Sequence, residues 1–292
     1  MKLETPAPFN FLGLPPRPFE ECRAVVLPVP YDATSSYGTG AREGPRAIIE
    51  ASRHVELYDG ELECEPSELG FYTLDELDPV GDPERMAKRV EKAVSEILAA
   101  GKLPIMLGGD HSQTLGAVRA AKKKFPNLSI IRFDAHDDLR DEWMGSPFNH
   151  ACVMRRVHEL GVKGIHLGIR SQDAETAEFA KKEKIALFRA RERESWKLAE
   201  MAKHLSKEVY ISFDVDFLDP SIMPSTGTPE PGGLQWDETL CWLRSLLKGR
   251  KVVGFDLMEL SPIAGFRAPD FLAAKLAYKM AAYSLESELQ KL

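Results

Sequence analysis

Acidic residues and histidines are concentrated in four short segments of the sequence. These segments read GGDHS at 108–112, DAHDD at 134–138, DVDFLDP at 214–220 and DLMELSP at 256–262, and each directly follows a run of apolar residues. Unpaired charge at the end of a buried strand is unfavourable, because loss of water penalises the ionised form of a carboxyl group. Carboxylates and imidazoles clustered in such places indicate that they bind a common ligand.

Spacing within the segments selects the individual side chains. In extended backbone, residues two positions apart point to the same side of a strand. The DAHDD and DVD stretches have this spacing, and the histidine of GGDHS would join them from a neighbouring strand end. A single Asp-x-Asp pair more commonly forms a turn or a helix cap, so the prediction depends on all the segments together. The predicted metal ligands are His111, Asp134, His136, Asp138, Asp214 and Asp216.

Charge and ligand type indicate which metal such a set would bind. Four carboxylates placed together would repel each other, and two divalent cations would balance their formal charge. Oxygen and imidazole ligands without a thiolate suit manganese or a similar ion. Two such ions, roughly 3.5–4 Å apart, can share a water and lower its pKa toward neutrality, which supplies a nucleophile. Four other histidines are interpreted as structural: His54, His158, His166 and His204.

The elements that must position these residues are strands and helices in alternation, which predicts an α/β fold with a parallel sheet. The apolar runs are near-continuous in Val, Ile, Leu and Phe, as in strands covered on both faces. Predicted strands cover 24–29, 103–109, 128–133, 164–169, 185–188, 209–213 and 251–255. Predicted helices cover about 84–100, 112–124, 150–160, 173–183, 195–206, 236–248 and 268–289. Ligand sites in parallel sheets form at the carboxyl ends of strands, where the four segments lie.

Domain organisation and composition narrow the class of protein. No linker divides the pattern, so we expect a single domain over residues 1–292, with an extended Pro-rich segment at 1–22. The net charge of −7 argues against nucleic acid as a partner, because phosphate binding needs a basic surface. The four cysteines are scattered, which favours reduced thiols in the cytoplasm over a disulfide scaffold. No apolar stretch suggests a signal peptide or a membrane span.

Three of the segments together resemble the signatures of the ureohydrolase family, which contains arginases and agmatinases. GGDHS, DAHDD and SFDVDFLDPS occur in the family's order and spacing, and GTPEPGGL at 227–234 and DLMELSP extend the similarity. The resemblance covers about residue 23 to the C-terminal helix. It implies a three-layer α/β/α sandwich with a central, mainly parallel sheet, a binuclear centre with two Mn²⁺ per subunit, and a homo-oligomer, either a trimer or a hexamer.

The resemblance also implies how the ligands are shared. One ion would be held by His111, Asp134, Asp138 and Asp214, and the other by Asp134, His136, Asp214 and Asp216. Asp134 and Asp214 would then bridge the two ions. Asp110 and Asp137 lie inside the signatures but match no ligand position, and we expect them to support the ligands or to face solvent.

Two further residues are implied to take part in catalysis. His150, in SPFNHACVMRR, matches the family's histidine that passes protons to the leaving amine, and Asn149 before it could cap a helix. Glu259, in LMELSP, matches the glutamate that pairs with the substrate guanidinium through a planar two-point contact. Thr226 or Thr228 in the nearby Gly/Pro loop could orient Glu259 or the substrate.

The expected reaction is hydrolysis of a guanidino group to urea and an amine. The SPFNHACVMRR stretch resembles agmatinases more than arginases, which favours agmatine as the substrate and putrescine as the product. The distal ammonium of agmatine could meet Asp141, Glu142 or Glu230. N1-aminopropylagmatine is the nearest alternative, followed by guanidinobutyrate, guanidine and formimidoylglutamate. A metal-dependent amide deacetylase and a non-catalytic binding protein are the alternatives from other classes.

Overall fold

The computed structural model describes residues 8–291, and one eight-stranded sheet runs through its centre. All pairings between these strands are parallel, and the strand order is β2-β1-β3-β8-β7-β4-β5-β6. The strands are β1 (Ala24–Val29), β2 (Phe71–Thr73), β3 (Leu103–Gly108), β4 (Ser129–Phe133), β5 (Lys163–Ile169), β6 (Ala186–Arg189), β7 (Glu208–Asp214) and β8 (Lys251–Met258).

Helices cover both faces of the sheet, as continuous apolar strands require. The helices are α1 (Gly44–Ser52), α2 (Pro83–Ala99), α3 (Thr114–Lys124), α4 (Val153–Glu159), α5 (Ala174–Lys182), α6 (Leu198–Ala202), α7 (Trp236–Leu247), α8 (Ala268–Ser284) and α9 (Glu286–Leu289). One apolar core lies between the sheet and α1, α6, α7 and α8. A second core lies between the opposite face and α2, α3, α4 and α5. The predicted three-layer α/β/α sandwich is confirmed.

The differences from the sequence prediction lie at the edges of the fold. All seven predicted strands are present, but β2 was missed because it is short, half-buried and pairs only with β1. The stretch predicted as one helix at 268–289 is divided at Leu285, whose φ and ψ of −113° and 12° interrupt the helix. The helix predicted at 195–206 is reduced to the five residues of α6.

The N-terminal segment departs from the extended surface path that was predicted. Residues 1–7 lie outside the described residues. After them, Phe11–Gly13 and Phe19–Glu21 form short 3₁₀ turns. Phe11 and Leu12 are buried in the core, and the Phe11 amide donates to Thr73 Oγ1 at 3.0 Å. Apolar burial therefore folds this part of the segment onto the sheet edge.

The four polar segments follow the four central strands of the sheet. In spatial order these are β3, β8, β7 and β4. Since all strands are parallel, their carboxyl ends meet at one edge, and the segments converge there. Close approach requires glycine at one point, because a Cβ atom on Gly109 would lie 1.7 Å from the carbonyl oxygen of Tyr31. Within residues 8–291, no helix combines the length and apolar character that a bilayer span needs.

Candidate functional site

Five of the six predicted ligands form two overlapping groups at the carboxyl edge of the sheet, and the sixth, Asp214, lies against His111. His111, Asp134 and Asp138 place potential ligand atoms within 4.8 Å of one another, and Asp134, His136 and Asp216 do the same. Asp134 belongs to both groups, as a bridging ligand must. These are the two candidate metal groups that the part of the chain from 8 to 291 contains.

The imidazole of His111 is held in one orientation by the strand beside it. Its Nε2 lies 2.8 Å from Ser212 Oγ, and this hydroxyl donates to Asp256 Oδ1 at 2.8 Å. Ser212 Oγ must therefore accept a hydrogen bond from Nε2–H, since its own proton is donated to Asp256. The Nδ1 atom lies 3.1 Å from Oδ2 of both Asp134 and Asp214. A neutral ring would point a lone pair at two carboxylates, and a divalent cation among these atoms removes the conflict. The donor set thus fits a metal ion.

The pKa values in this group show the same repulsion between buried carboxylates. Burial by itself lowers the pKa of His111, but hydrogen bonds and charges from Asp134 and Asp214 raise that pKa well above its ordinary value. Burial raises the pKa of Asp214 well above its ordinary value, and the charges of Asp216 and Asp134 add to this effect. The protein alone therefore supplies too little positive charge for all these carboxylates to ionise.

The second group is organised around Asp216 and His136. His136 Nδ1 lies 2.8 Å from Asp216 Oδ2, and the other oxygen of Asp216 accepts from the Ala135 amide at 2.9 Å. The Asp216 amide in turn donates to Asp214 Oδ1 at 2.8 Å. Burial lowers the pKa of His136, but the charge and hydrogen bond of Asp216, with help from Asp134, raise it to about 10. These hydrogen bonds connect the loop after β4 to the loop after β7.

The predicted residues converge, but not through the extended backbone on which the spacing argument relied. β4 ends at Phe133, and the next five residues form a loop in which Asp138 has a φ of 49°. β7 ends at Asp214, and Val215–Phe217 form a 3₁₀ turn. The acids approach each other because the loops turn inward. The prediction that these side chains share one face of an extended strand was therefore wrong.

A buried arginine is the feature that sequence reasoning missed. Arg132 lies on β4 and is fully buried. Its Nη2 donates to the carboxylates of Asp134 and Asp138, and its Nη1 donates to the carbonyl oxygens of His136 and Asp137 at 2.7 and 3.0 Å. The signal was present in the sequence, since a charged residue within an apolar strand must find partners.

Glu259 follows β8 and faces the same cleft. Its φ of 66° is rare for a residue other than glycine, and its amide donates to the Gly109 carbonyl at 2.9 Å. Oε1 accepts from the His111 amide at 2.7 Å. Burial, together with the charges of Asp214 and Asp110, raises the pKa of Glu259 well above its ordinary value. A buried carboxylate in this state is prepared to pair with a cation.

His150 lies beside Glu259, at the start of a 3₁₀ turn over His150–Cys152. Its Nδ1 is 3.8 Å from Glu259 Oε1, and its Nε2 is 3.2 Å from Ser36 Oγ. The predicted cap is confirmed, because Asn149 Oδ1 accepts from the Ala151 amide at 3.1 Å. The structure thus brings the two predicted catalytic residues together with the candidate ligands.

Asp110 and Asp137 are both buried, which excludes the solvent-facing alternative. Asp110 accepts from the amides of Thr34 and Ser112 at 2.9 and 3.1 Å. It thereby holds the loop that contains Ser36, whose hydroxyl contacts His150. Asp137 Oδ2 accepts from Gln172 Nε2 at 2.9 Å. Both carboxylates support the loops of the site.

The cleft above these groups has a volume of about 260 Å³. Its other lining residues include Ser36, Trp143, Ser171, Gln172 and Thr228. Glu230 approaches the site, with Oε1 3.9 Å from His136 Nε2, whereas Asp141 is paired with Arg156. A larger cavity of about 880 Å³ lies beside α7, away from the candidate ligands. Chemistry, rather than volume, identifies the smaller cleft as the functional one.

The fold and the site define an α/β protein with a candidate carboxylate–histidine metal site at the carboxyl edge of a parallel sheet. The chain belongs to the arginase family, whose model matches residues 22–282. It is 42% identical to the N1-aminopropylagmatine ureohydrolase of Thermus thermophilus, over 89% of this chain and 90% of that protein. It is 37% identical to the agmatinase of Pyrococcus horikoshii, over 91% and 94% of the two chains.

A solved structure agrees with this membership. The agmatine ureohydrolase of Thermoplasma volcanium superimposes with a TM-score of 0.85 and 33% identity, and the alignment covers 94% of each chain. The resemblance to the ureohydrolases drawn from the sequence is therefore confirmed.

Proposed function

We propose that this chain hydrolyses the guanidino group of a small cationic substrate to urea and an amine. It is a hydrolase acting on C–N bonds in linear amidines, as its family and relatives are. The observation that carries the proposal is the pair of ligand groups sharing Asp134, next to Glu259 and His150 in one cleft. This arrangement combines a place for metal ions, a carboxylate for the substrate and an imidazole for proton transfer.

The metal centre we propose contains two Mn²⁺ ions. His111, Asp134, Asp138 and Asp214 would hold one ion, and Asp134, His136, Asp214 and Asp216 would hold the other. The donor atoms are oxygens and imidazole nitrogens, which suit manganese. When bound, two such ions make hydroxide available from water near neutral pH and stabilise developing negative charge.

Glu259 would orient the substrate. A guanidinium and a carboxylate meet through two parallel hydrogen bonds, which fixes the plane of the guanidinium as well as its position. The His111 amide already holds Oε1 at 2.7 Å, so the carboxylate cannot rotate freely. The guanidinium would also neutralise a carboxylate that is buried beside Asp214 and Asp110.

His150 would move the proton that the leaving amine needs. Imidazole is the side chain best suited to proton transfer near neutral pH. Its position 3.8 Å from Glu259 places it beside the bound guanidinium, and Ser36 holds its other nitrogen. Protonation of the departing nitrogen would let it leave as a neutral amine rather than as an amide anion, so that the C–N bond breaks and urea remains.

We favour agmatine as the substrate, with N1-aminopropylagmatine as an alternative that the relatives support equally. Both are cations without a carboxylate, in accord with the acidic cleft. We further propose that residues 1–292 form one catalytic domain and act in the cytoplasm as a homo-oligomer, a trimer or a hexamer. The single sheet from β1 to β8 supports the one-domain arrangement.

The test is urea release from a panel of four substrates by the manganese-loaded protein. The panel contains agmatine, N1-aminopropylagmatine, arginine and guanidinobutyrate, and the control is the Glu259→Gln variant. We expect kcat/KM to be highest for agmatine or N1-aminopropylagmatine, and Glu259→Gln to lose most of it with both. Absence of urea from every substrate, with manganese bound, would support a binding protein instead.

A further inference from the structure

Arg132 places a permanent positive charge inside the metal centre. It lies on β4 two residues before Asp134, and its side chain is fully buried. The guanidinium uses two nitrogens to reach four acceptors. Nη1 binds the carbonyl oxygens of His136 and Asp137, and Nη2 binds the carboxylates of Asp134 and Asp138. One planar group therefore connects the backbone of the 134–138 loop to the two acids at its ends.

The loop needs such a constraint. Asp138 has a φ of 49°, a conformation that residues with a side chain seldom adopt without support. The amides of Met154 and Arg155 donate to the Asp138 carbonyl oxygen at 3.1 and 3.2 Å, which fixes the backbone of Asp138. Those bonds do not fix the carboxylate. The contact from Arg132 sets the direction of the Asp138 side chain.

We propose that Arg132 is a positioning residue that fixes the 134–138 loop in its ligand geometry before any cation binds. The inference rests on the proposed metal centre. The guanidinium is required because its nitrogens lie in one plane at a fixed spacing, so that one serves the backbone and the other serves the carboxylates. A lysine at this position would keep the charge but present a single point of contact.

The first experiment uses the unmodified protein. Amide hydrogen exchange is measured on metal-free and manganese-loaded protein, over the loop from 134 to 138. The Asp134 amide bonds to the Leu167 carbonyl oxygen at 3.0 Å, and the His136 amide bonds to Asp134 Oδ1 at 2.6 Å. If Arg132 orders the loop, we expect exchange in the two forms to agree within about tenfold. Loss of protection by more than about tenfold on metal removal would overturn the proposal.

The second experiment separates charge from geometry. Manganese binding to metal-free protein is measured by calorimetry and by counting bound ions, for wild type, Arg132→Lys and Arg132→Gln. We expect both variants to bind manganese about 10–100-fold more weakly, since groups that orient ligands typically contribute this much. Wild-type affinity and two ions per chain in Arg132→Lys would mean that charge alone is needed, and would contradict the proposal.

Arg244→Lys is the matched control. Arg244 also binds two carboxylates, those of Glu61 and Glu286, but it lies on α7 outside the cleft. We expect this variant to bind manganese like wild type. Should Arg132→Lys fail to fold, the exchange experiment on wild type still tests whether the loop is ordered before metal binds, and a disordered loop would overturn the proposal. Neither measurement uses a substrate, so a failed urea assay would refute the proposed reaction and leave the role of Arg132 standing.

Discussion

Two clusters of charge in this protein, one partly exposed and one buried, are built in opposite ways. The first, called here the helix cluster, lies under α8 and consists of Lys279, Asp59, Glu61, Tyr283 and Arg244. Lys279 Nζ lies 2.9 Å from both oxygens of Asp59 and 2.7 Å from Glu61 Oε2. Tyr283 and Arg244 also donate to Glu61. Each acid of this cluster has a cation in contact.

The second, called here the site cluster, is the group of six candidate ligands with Arg132. Its four carboxylates have one permanently charged partner, Arg132, which contacts Asp134 and Asp138. Asp214 and Asp216 face histidines instead. The site cluster therefore has four carboxylates for one permanent positive charge, and the rest of its balance depends on protonation of His111 and His136.

The pKa shifts record the same difference. Burial raises the pKa of Glu61, but hydrogen bonds from Lys279, Tyr283 and Arg244 outweigh it and lower the pKa to about 2. Burial and neighbouring charges raise the pKa of Asp214 well above its ordinary value. A balanced cluster holds the fold together, whereas a cluster short of positive charge is prepared for an external cation.

Removing one carboxylate from each cluster should separate their roles most strongly. We expect Asp134→Asn to lower kcat/KM at least about 10²–10³-fold, because Asp134 belongs to both ligand groups, and to leave fewer than two manganese ions per chain. Asp59→Asn should keep two ions and most of the turnover of the folded enzyme. The measurements are urea release and metal counting. Intact turnover in Asp134→Asn would exclude the proposed centre.

Breaking the balance of the helix cluster should affect stability. Lys279→Met removes a cation that is 6% exposed and leaves Asp59 buried without its partner. Loss of one member of a buried pair typically lowers the free energy of unfolding by about 3–5 kcal/mol. Urea denaturation of wild type and variant measures this, with turnover below the transition as the control. A variant as stable as wild type would show that the helix cluster contributes little.

Residues that orient a ligand through a hydrogen bond should affect manganese binding less than the ligands themselves do. Ser212→Ala removes the hydroxyl that orients His111, and we expect manganese to bind about 10–100-fold more weakly. Ser225→Ala is the matched control, because Ser225 is also fully buried but its hydroxyl has no hydrogen-bond partner among the described residues. Equal manganese affinity in the two variants, measured by calorimetry, would argue against the orienting role of Ser212.

The sequence predicts the strands well because their apolar runs carry the burial signal directly. All seven predicted strands exist, and the strand ends locate the site. The short β2 gives no such signal, since its three residues are half-buried. The division between α8 and α9 also escapes, because the break depends on backbone angles at Leu285. Edges and helix breaks depend on tertiary packing, which a local pattern does not contain.

The site shows the same limit. Its candidate ligands lie in conspicuous segments, and the structure gathers all of them. The orienting residues are harder to find, since Ser212 lies within an apolar strand and gains its role from a strand pairing that places it opposite Asp256. Arg132 could have been found, because its charge within a core strand required an explanation. What the sequence does not supply is the loop geometry that turns Asp134 and Asp138 toward each other.

The pH dependence of stability offers the finest test of the comparison. The pKa of Glu61 is lowered from 4.5 to about 2 in the folded protein. Its ionised form therefore stabilises the fold fully above pH about 4.5, and this contribution is lost as the pH falls through the folded pKa, because the unfolded chain takes up the proton first. We expect the difference in free energy of unfolding between wild type and Glu61→Gln to be constant above pH about 5 and to shrink toward pH 2. Urea denaturation across this range measures it, and the carboxylates of the site cluster cancel in the difference.

The same comparison in a Lys279→Met background should show a weaker dependence on pH, since Lys279 is the first of the groups that lower the pKa of Glu61. A difference that does not change with pH in the wild-type background would mean that Glu61 is not held ionised by its neighbours, and the contrast between the two clusters would then fail.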